Sequence, residues 1–275
     1  MASIINFPIK FTKMHGLGND FVFINKHDLS DADNIQEIVE ACAKRHTGIG
    51  CDQIIIYEEK KDNISLEIYN SDGSRAEACG NATRSIAYIF SQRTGKKDIV
   101  ISVGTRILNC NINDKNHVSV NMGKVNFASS WMPDYSVLSK ELKTYLSNSS
   151  EFLCVDIGNP HLVIIDPNIH QEDIEFLGPK FEKSSLFPKG ANINFASINN
   201  DIINLKVWER GTGFTYACGS GACASFAASS KLGFVGDKAV VKFELGDLTM
   251  EYKNDEILMS GPVTLVAEGI YFYTK

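Results

Sequence analysis

The sequence lacks the features that mark several large classes of protein. Its 275 residues contain no apolar run of about 18 residues that could cross a membrane. They also contain no long basic block of the kind that binds nucleic acid or an anionic membrane. The net charge is -6, and the first residues do not have the basic and apolar regions of a secretory signal. We therefore expect a globular protein with neither membrane nor nucleic-acid partners.

Cysteine pairs with a known structural purpose are also missing. The chain has seven cysteines, an odd number at irregular spacings, with no C-x-x-C motif and no Cys/His cluster at zinc-binding spacing. This pattern predicts free thiols in a reducing cytoplasm, and it predicts neither a disulfide framework nor a metal site. We interpret five of these residues as small core side chains. These five are Cys42, Cys51, Cys110, Cys154 and Cys223.

The other two cysteines belong to an internal repeat. Three landmarks recur in the same order, at separations of 139 or 140 residues. The matched pairs are Cys79 and Cys218, each in an Ala-Cys-Gly segment; Gly18 and Gly158, each followed by asparagine; and Gly50 and Gly190. An ordered set with a nearly constant offset indicates two homologous halves of ordinary domain size.

Each half shows the same succession of short β-rich runs and one helix. Predicted strands cover 21–25, 53–57, 65–69 and 99–103 in the first half, and 162–165, 193–196, 203–208 and 239–245 in the second. Predicted helices cover 82–92 and 222–231, with Gly95 and Gly233 after their ends. A further helical stretch, 139–146, lies in the predicted connector 126–150. This succession of strands and one helix predicts an α+β fold in which each half wraps a curved, mainly antiparallel sheet around a central helix. The predicted domains are 1–125, joined by a C-terminal strand at 263–275, and 126–262.

Each repeated cysteine stands between an irregular turn and a predicted helix start. Free N–H groups and the helix dipole make this position electropositive, so we expect a lowered thiol pKa and an anion site. Gly80 and Gly219 would let a ligand approach the backbone closely. Two such thiols around one substrate provide what inversion of a carbon centre needs, a base on one face and an acid on the other. The sequence therefore predicts α-proton transfer between Cys79 and Cys218.

Six segments in order carry a resemblance to a known family. They are Lys13–Phe21, Gly48–Gln53, Asn70–Ser74, Ala78–Arg84, Gly158–His161, and Glu209–Gly211 together with Ala217–Gly221. Over nearly its whole length the sequence resembles the diaminopimelate epimerase family. That resemblance implies interconversion of LL- and meso-diaminopimelate without pyridoxal phosphate, metal or other cofactor, in the supply of lysine and peptidoglycan precursors. It also implies two α/β-roll domains related by a pseudo-twofold axis, and a homodimer.

The resemblance also assigns residues. It places the acid and base on Cys79 and Cys218, and residues that tune the thiol pKa on His161 and Glu209. Substrate contacts fall on Asn19, Gln53, Asn70, Gly80, Asn81, Asn159, Asn192, Glu209, Arg210, Gly219 and Ser220. Chemistry supports part of this set independently: a guanidinium such as that of Arg210 suits the distal carboxylate, and the asparagines offer neutral donors and acceptors. Ala82 and Phe214 depart from the family pattern, where glycine and glutamate are common.

Three alternatives remain open at this point. A proline or hydroxyproline racemase would use the same two thiols on another substrate. The segment Gly219–Ala224 fits G-x-G-x-x-A, a dinucleotide-binding pattern that requires a strand running into its first glycine. Facing cysteines could also serve as a thiol redox switch.

Overall fold

The computed structural model describes residues 6–29, 34–61, 63–76, 80–113 and 117–274. Within these ranges the chain divides into two compact units. Unit 1 comprises Met1–Val120 and Gly261–Lys275, and unit 2 comprises Asn121–Ser260. Cys79 and its neighbours at 77 and 78 lie outside the described residues, so Cys218 is the repeated cysteine that the structure describes.

Unit 1 is built on an extended sheet. Its strands are β1 (Asn6–Gly16), β2 (Asn19–Asn25), β3 (Gln53–Glu59), β4 (Ile64–Asn70), β5 (Arg75–Ala76), β6 (Asp98–Val103), β7 (Arg106–Ile112), β8 (His117–Gly123) and β17 (Thr264–Thr274). Their pairings run in the order β17, β1, β2, β3, β4, β6, β7, β8, with β5 also on β4. The C-terminal strand β17 thus pairs with β1, at the beginning of the chain.

Unit 2 repeats this pattern with its own strands. They are β9 (Glu151–Asp156), β10 (Pro160–Ile165), β11 (Asn192–Asn199), β12 (Ile202–Glu209), β13 (Gly213–Thr215), β14 (Lys238–Phe243), β15 (Gly246–Lys253) and β16 (Glu256–Pro262). The order is β9, β10, β11, β12, β14, β15, β16, with β13 also on β12.

The same pairs are parallel in both units, namely β2–β3 and β4–β6 in unit 1 and β10–β11 and β12–β14 in unit 2. The other pairings named above are antiparallel. The predicted α+β fold with two similar, mainly antiparallel units is therefore confirmed.

Five α-helices lie within the described residues. They are α1 (Ile35–Ala43), α2 (Gly80–Thr94), α3 (Tyr135–Leu142), α4 (Gln171–Glu182) and α5 (Gly219–Lys231), and a short 3₁₀ helix spans Lys26–Leu29. The helices predicted at 82–92 and 222–231 correspond to α2 and α5, each of which starts two or three residues earlier. Both end as predicted at a glycine with positive φ, Gly95 at +71° and Gly233 at +80°.

Helix α5, at the centre of unit 2, can be enclosed because its side chains are small. In α5 glycine, alanine, serine and cysteine predominate, Phe226 is the one large apolar residue, and 10 residues are buried. It packs against β9, β10, β11, β12, β14 and β15, while α2 packs against β1, β2, β6 and β7. A helix this deeply buried holds its first turn, and therefore the cysteine before it, in a fixed position.

Two further helices cover the outside of the parallel strand pairs. Helix α1 connects β2 to β3 and contributes Ile38, Val39 and Cys42 to a core that also contains Ile54. Helix α4 connects β10 to β11 and contributes Ile174, Leu177 and Phe181 to the second core. Neither helix was predicted from the sequence. Within the described residues, no helix combines the length and apolar character that a membrane span requires.

The connector helix begins earlier than the sequence predicted. We expected helical structure at 139–146, but α3 spans Tyr135–Leu142. The side chain of Asp134 accepts hydrogen bonds from the N–H groups of Ser136 and Val137, so it caps the helix at this point.

Candidate active site

Cys218 is the residue that caps helix α5. Its backbone is extended (φ -130°, ψ 115°), and its Sγ lies 3.4 Å from the N–H of Gly221, which donates to it. The hydroxyl of Ser220 lies 3.5 Å from the same sulfur. Only 5% of the Cys218 surface is exposed. The predicted position of this cysteine, between an irregular turn and a helix start, is confirmed.

The protonation state of Cys218 differs from what the sequence suggested. Burial, followed by the nearby charge of Glu209, raises the pKa of the Cys218 thiol well above its usual range. Hydrogen bonds from Ser220 and from the Gly221 N–H act in the opposite direction, as expected at a helix start. The prediction of a lowered pKa is therefore wrong for Cys218, because desolvation and a carboxylate outweigh the helix donors.

The carboxylate that acts on Cys218 is held at the end of strand β12. Glu209 accepts a hydrogen bond of 2.6 Å on Oε1 from the hydroxyl of Thr215. Thr215 is on β13, which pairs with β12 across the tight turn that joins them. This short hairpin places Glu209 beside the cysteine that follows β13 by three residues. Thr215 was not among the residues predicted from the sequence.

A line of hydrogen-bonded side chains leads from the core of unit 2 to the same helix start. Asn194 Nδ2 lies 3.1 Å from His161 Nδ1, and His161 Nε2 lies 3.0 Å from Asn159 Oδ1. Asn159 Nδ2 in turn donates to Ser220 Oγ over 3.3 Å. His161 is completely buried, and burial lowers its pKa from 6.5 to about 3. The imidazole is therefore neutral near pH 7 and influences the thiol through hydrogen bonds rather than through charge.

The loop before Asn159 is fixed by one carboxylate. Asp156 accepts hydrogen bonds from the Gly158 N–H at 2.8 Å, from the Ser129 hydroxyl at 2.6 Å and from Trp131 Nε1 at 2.8 Å. Although burial opposes it, these donors hold the pKa of Asp156 below its usual range. Gly158 has φ +97°, in the left-handed region that glycine adopts without strain. The matched Gly-Asn motif is thus a turn that points Asn159 toward α5.

Asn192 and Arg210 are also in contact. Asn192 Nδ2 donates to the carbonyl of Pro160 over 2.9 Å, and its Oδ1 accepts from the Arg210 backbone N–H over 3.0 Å. The guanidinium of Arg210 donates to the carbonyl of Lys189 over 3.2 Å. These bonds hold the turn after β12, where the guanidinium is partly exposed and able to meet an anionic group.

The predicted residues of unit 1 form two smaller groups. In the first, buried Arg84 donates to Asn81 Oδ1 over 2.9 Å, Asn81 Nδ2 donates to Asn19 Oδ1 over 3.3 Å, and Asn19 Nδ2 donates to Asp52 Oδ2 over 2.9 Å. Asn81 lies in the first turn of α2, next to Gly80, the first residue of that helix. In the second, Gln53 and Asn70 face each other on β3 and β4.

Gln53 Nε2 donates to Asn70 Oδ1 over 3.0 Å, and Asn70 Nδ2 donates to Ser74 Oγ over 3.0 Å. Each amide of this pair therefore has a defined orientation. In unit 2 the register places Asn192 in the position of Gln53, because each is the first residue of its strand and opens a parallel pair.

Comparison with known proteins agrees with this geometry. A sequence model described as "Diaminopimelate epimerase" matches residues 11–128 and 153–266. The chain belongs to the diaminopimelate epimerase family. The diaminopimelate epimerase of Rickettsia massiliae (strain Mtu5) is 50% identical over 264 residues, covering 96% of this chain and 97% of that protein. That of Rickettsia akari (strain Hartford) is 49% identical over 267 residues, covering 97% and 98%.

Solved structures support the fold. A phenazine biosynthesis protein of the PhzF family from Bacillus anthracis has a TM-score of 0.72 at 14% identity, covering 96% of this chain and 98% of its own. A hydroxyproline epimerase from Agrobacterium vitis has a TM-score of 0.67 at 10% identity, covering 99% and 94%. At such identities the likeness is one of fold.

Several residues around the site were not found by sequence reasoning. Thr215 and Asp156 fix the two loops of unit 2, Asp52 and Arg84 orient the amides of unit 1, and Asn194 contacts His161. Asn194 offered the clearest signal, since it is a second asparagine inside the otherwise apolar run 191–196.

Proposed function

We propose that this chain interconverts LL- and meso-2,6-diaminopimelate by moving an α-proton between two cysteines, without pyridoxal phosphate or metal. The observation that carries the proposal is the Cys218 thiol, which caps α5 and has the carboxylate of Glu209 beside it. Identity of about 50% with diaminopimelate epimerases over 96% of the chain supports the substrate. The family motif supplies the second cysteine, Cys79.

Inversion at the α-carbon requires one group that takes a proton and another that returns one. In the proposed step the thiolate of one cysteine removes the α-hydrogen, and the electron pair of the broken C–H bond is stabilised by the α-carboxylate. The thiol of the other cysteine then gives its proton to the opposite face of the carbon and becomes the thiolate. The protonation states of Cys79 and Cys218 are exchanged by one turnover and restored by the reverse reaction.

The environment of Cys218 suits the donor in this cycle. Burial and Glu209 favour its neutral thiol, while Ser220 and the Gly221 N–H stabilise the thiolate that remains after the proton has left. Glu209 also accepts from the thiol, since its hydrogen bond with Cys218 favours the protonated form. Cys218 is therefore the acid when it meets a substrate that Cys79 has deprotonated.

Binding groups follow from the same elements. The first N–H groups of a helix lack intrahelical partners, so those of Gly80 and Asn81 and of Gly219 and Ser220 are proposed to hold the α-carboxylate. Its developing charge would be stabilised there during proton removal. Arg210 is proposed to bind the distal carboxylate. The remaining proposed contacts are Asn19, Gln53, Asn70, Asn159, Asn192 and Glu209.

Three broader features complete the proposal. The enzyme is proposed to act in the cytoplasm as a homodimer, and to supply precursors of lysine and peptidoglycan.

A proline racemase is disfavoured by the full-length match to diaminopimelate epimerases. The dinucleotide pattern is disfavoured because Tyr216, Ala217 and Cys218 separate strand β13 from Gly219.

The test is α-proton exchange in D₂O with LL- or meso-diaminopimelate, a reductant and no added cofactor. Deuterium should enter one α-position while the other isomer forms. Cys79→Ala and Cys218→Ala should each abolish the interconversion, because each removes one of the two proton carriers. The matched control is Cys110→Ala, which removes a buried thiol whose pKa burial raises to about 12, and which should leave turnover unchanged. Near-native interconversion by either single variant would disprove the two-thiol step, and exchange confined to proline would replace the substrate.

A further inference from the structure

Asn194 is a completely buried amide in the middle of β11. Its Nδ2 lies 3.1 Å from the carbonyl oxygen of Leu162, 3.4 Å from that of Asn192 and 3.1 Å from His161 Nδ1. Its Oδ1 has no hydrogen-bond partner within the described part of the chain. Because carbonyl oxygens only accept, the amide nitrogen must face Leu162 and Asn192.

The orientation of this amide determines the protonated nitrogen of His161. A neutral imidazole has one N–H donor and one acceptor nitrogen, and burial keeps this imidazole neutral. Since Asn194 donates toward Nδ1, the proton must be on Nε2. The Nε2–H then donates to Asn159 Oδ1, 3.0 Å away.

The same direction continues to the cysteine. Asn159 accepts on Oδ1, so its Nδ2 is the group that donates to Ser220 Oγ over 3.3 Å. The Ser220 oxygen is thereby an acceptor, and its own hydrogen is free to point at Cys218 Sγ, 3.5 Å away. Each member after Asn194 thus receives one hydrogen bond and donates the next.

The other half of the repeat shows that the fold does not need this network. The first residue pair of β10–β11 is His161 with Asn192, and the third is Val163 with Asn194. The corresponding pairs of β2–β3 are Phe21 with Gln53 and Phe23 with Ile55. Unit 1 therefore has buried Phe21 and Ile55 in the positions of His161 and Asn194. Its amides also run the other way, because Asn19, the counterpart of Asn159, accepts from Asn81.

We propose that Asn194 is a positioning residue that fixes His161 as the Nε2–H tautomer and so makes Ser220 a hydrogen-bond donor to Cys218. The buried polar pair His161 and Asn194 lowers the stability of unit 2 relative to an apolar pair such as Phe21 and Ile55. In return, the network orients one hydrogen-bond donor toward the sulfur of Cys218. This inference rests on the proposed function, in which Cys218 passes through the thiolate form. Asn194 acts through His161, Asn159 and Ser220 and touches no substrate.

Charged groups on the neighbouring elements set the background for this effect. Glu209 on β12 acts on Cys218, while Asp156, at the end of β9, and Arg210, after β12, act on His161 with opposite signs. Asn194→Ala alters none of these groups and adds no charge, so a change in Cys218 reactivity in that variant reports the hydrogen bonds. Asn194→Asp also adds a carboxylate, so its reactivity is interpreted together with the tautomer of His161.

The first test is the tautomer of His161 in the native protein. Imidazole ¹⁵N chemical shifts distinguish a protonated ring nitrogen from an unprotonated one, and the His161 signal is assigned by its loss in His161→Gln. Nε2 should carry the proton near pH 7, and a proton on Nδ1 would overturn the proposal. Asn194→Asp offers an acceptor of the same shape, so Nδ1 should become the protonated nitrogen. Asn194→Ala offers neither donor nor acceptor and should give a mixture of both tautomers.

The second test is the reactivity of Cys218. In Asn194→Asp the reversed network turns the Ser220 hydrogen toward Asn159, so Cys218 loses this donor. Alkylation of Cys218 by iodoacetamide near pH 7 should then be at least about tenfold slower, as for loss of one hydrogen bond to a charged group. Tandem mass spectrometry of the tryptic peptide 211–231 separates Cys218 from Cys223. Ser225→Ala removes another buried polar side chain of unit 2 and should leave both readouts unchanged.

Native tautomer and native alkylation rate in both Asn194 variants would overturn the proposal, even if those variants were less stable. Neither measurement involves substrate. Failure of the diaminopimelate reaction would therefore leave these two results unaffected, and their failure would leave the proposed reaction standing.

Discussion

At the scale of single residues, His161 links the site to the stability of unit 2. Burial lowers its pKa from 6.5 to about 3. Between pH 6.5 and about pH 3, therefore, this side chain binds a proton in the unfolded chain and does not bind it in the folded chain. The free energy of unfolding must therefore fall as the pH falls through this window. From pH 7 to pH 5 the contribution of this one side chain is about 2 kcal/mol.

The variant His161→Gln removes the titrating group and keeps polar atoms in its place. Its free energy of unfolding, measured by urea denaturation between pH 7 and pH 5, should decrease by about 2 kcal/mol less than that of the native protein. Its stability at pH 7 is not the quantity compared, since the substitution also disturbs Asn159 and Asn194. His27→Gln, which removes an exposed imidazole, should keep the native slope. Equal slopes for native protein and His161→Gln would mean that the imidazole is not desolvated.

At the scale of elements, the first turn of α5 depends on one glycine. A Cβ on Gly221 would lie 2.6 Å from Asn194 Oδ1 and 3.3 Å from the Cβ of Cys218. Asn194 cannot move aside easily, because its amide is bonded to Leu162 and His161. Gly221→Ala should therefore destabilise the protein by about 1–3 kcal/mol, as overpacking does, and slow epimerisation.

The measurement for Gly221→Ala is the urea midpoint together with turnover of diaminopimelate. The matched control is Gly236→Ala, because an added Cβ at Gly236 meets no atom within 4 Å. That variant should match the native protein in both readouts. Native stability of Gly221→Ala would show that the helix start can shift without cost.

The sequence predicted the strands that are rich in large apolar residues and missed two helices, α1 and α4, that bury only one face. Strands β2, β3, β10 and β11 are rich in Ile, Val and Phe, and their positions were predicted correctly. Helix α1 was missed although Ile35, Ile38, Val39 and Cys42 recur at helical spacing, and α4 has the same spacing. The signal was present, but Asp and Glu between the apolar residues concealed it.

For the site, sequence predicted which residues of unit 2 approach Cys218 but not the protonation state of the thiol. Asn159 donates a hydrogen bond to Ser220 in α5, and Glu209 lies beside Cys218. Arg210 contacts Asn192 on the neighbouring strand. The direction of the Cys218 pKa depends on burial and on the distance to Glu209, which no local pattern reports. Asn194 needed the strand register, which places it two residues beyond Asn192, the partner of His161, on the same face of the sheet.

At the scale of the whole molecule, the repeat accounts for the strand order of both units but not for the exposed apolar face of β17. In β17, Tyr271 and Tyr273 pack on the core of unit 1, so Ile270 and Phe272 must point the other way. These two side chains are 51% and 61% exposed, at the end of the sheet order of unit 1. Apolar side chains on an end strand favour association with another copy.

The expected homodimer therefore has a testable contact. In the double variant Ile270→Lys and Phe272→Lys, two charges would have to be buried in any interface on this face. Sedimentation should therefore give the mass of two chains for the native protein and of one chain for the variant. Ile107→Lys, at a side chain that is 67% exposed on β7, is the matched control and should keep the native mass. Retention of the native mass by the double variant would move the interface away from β17. Because Tyr271 and Tyr273 are untouched, the core that β17 closes should remain folded, and far-UV circular dichroism should be unchanged.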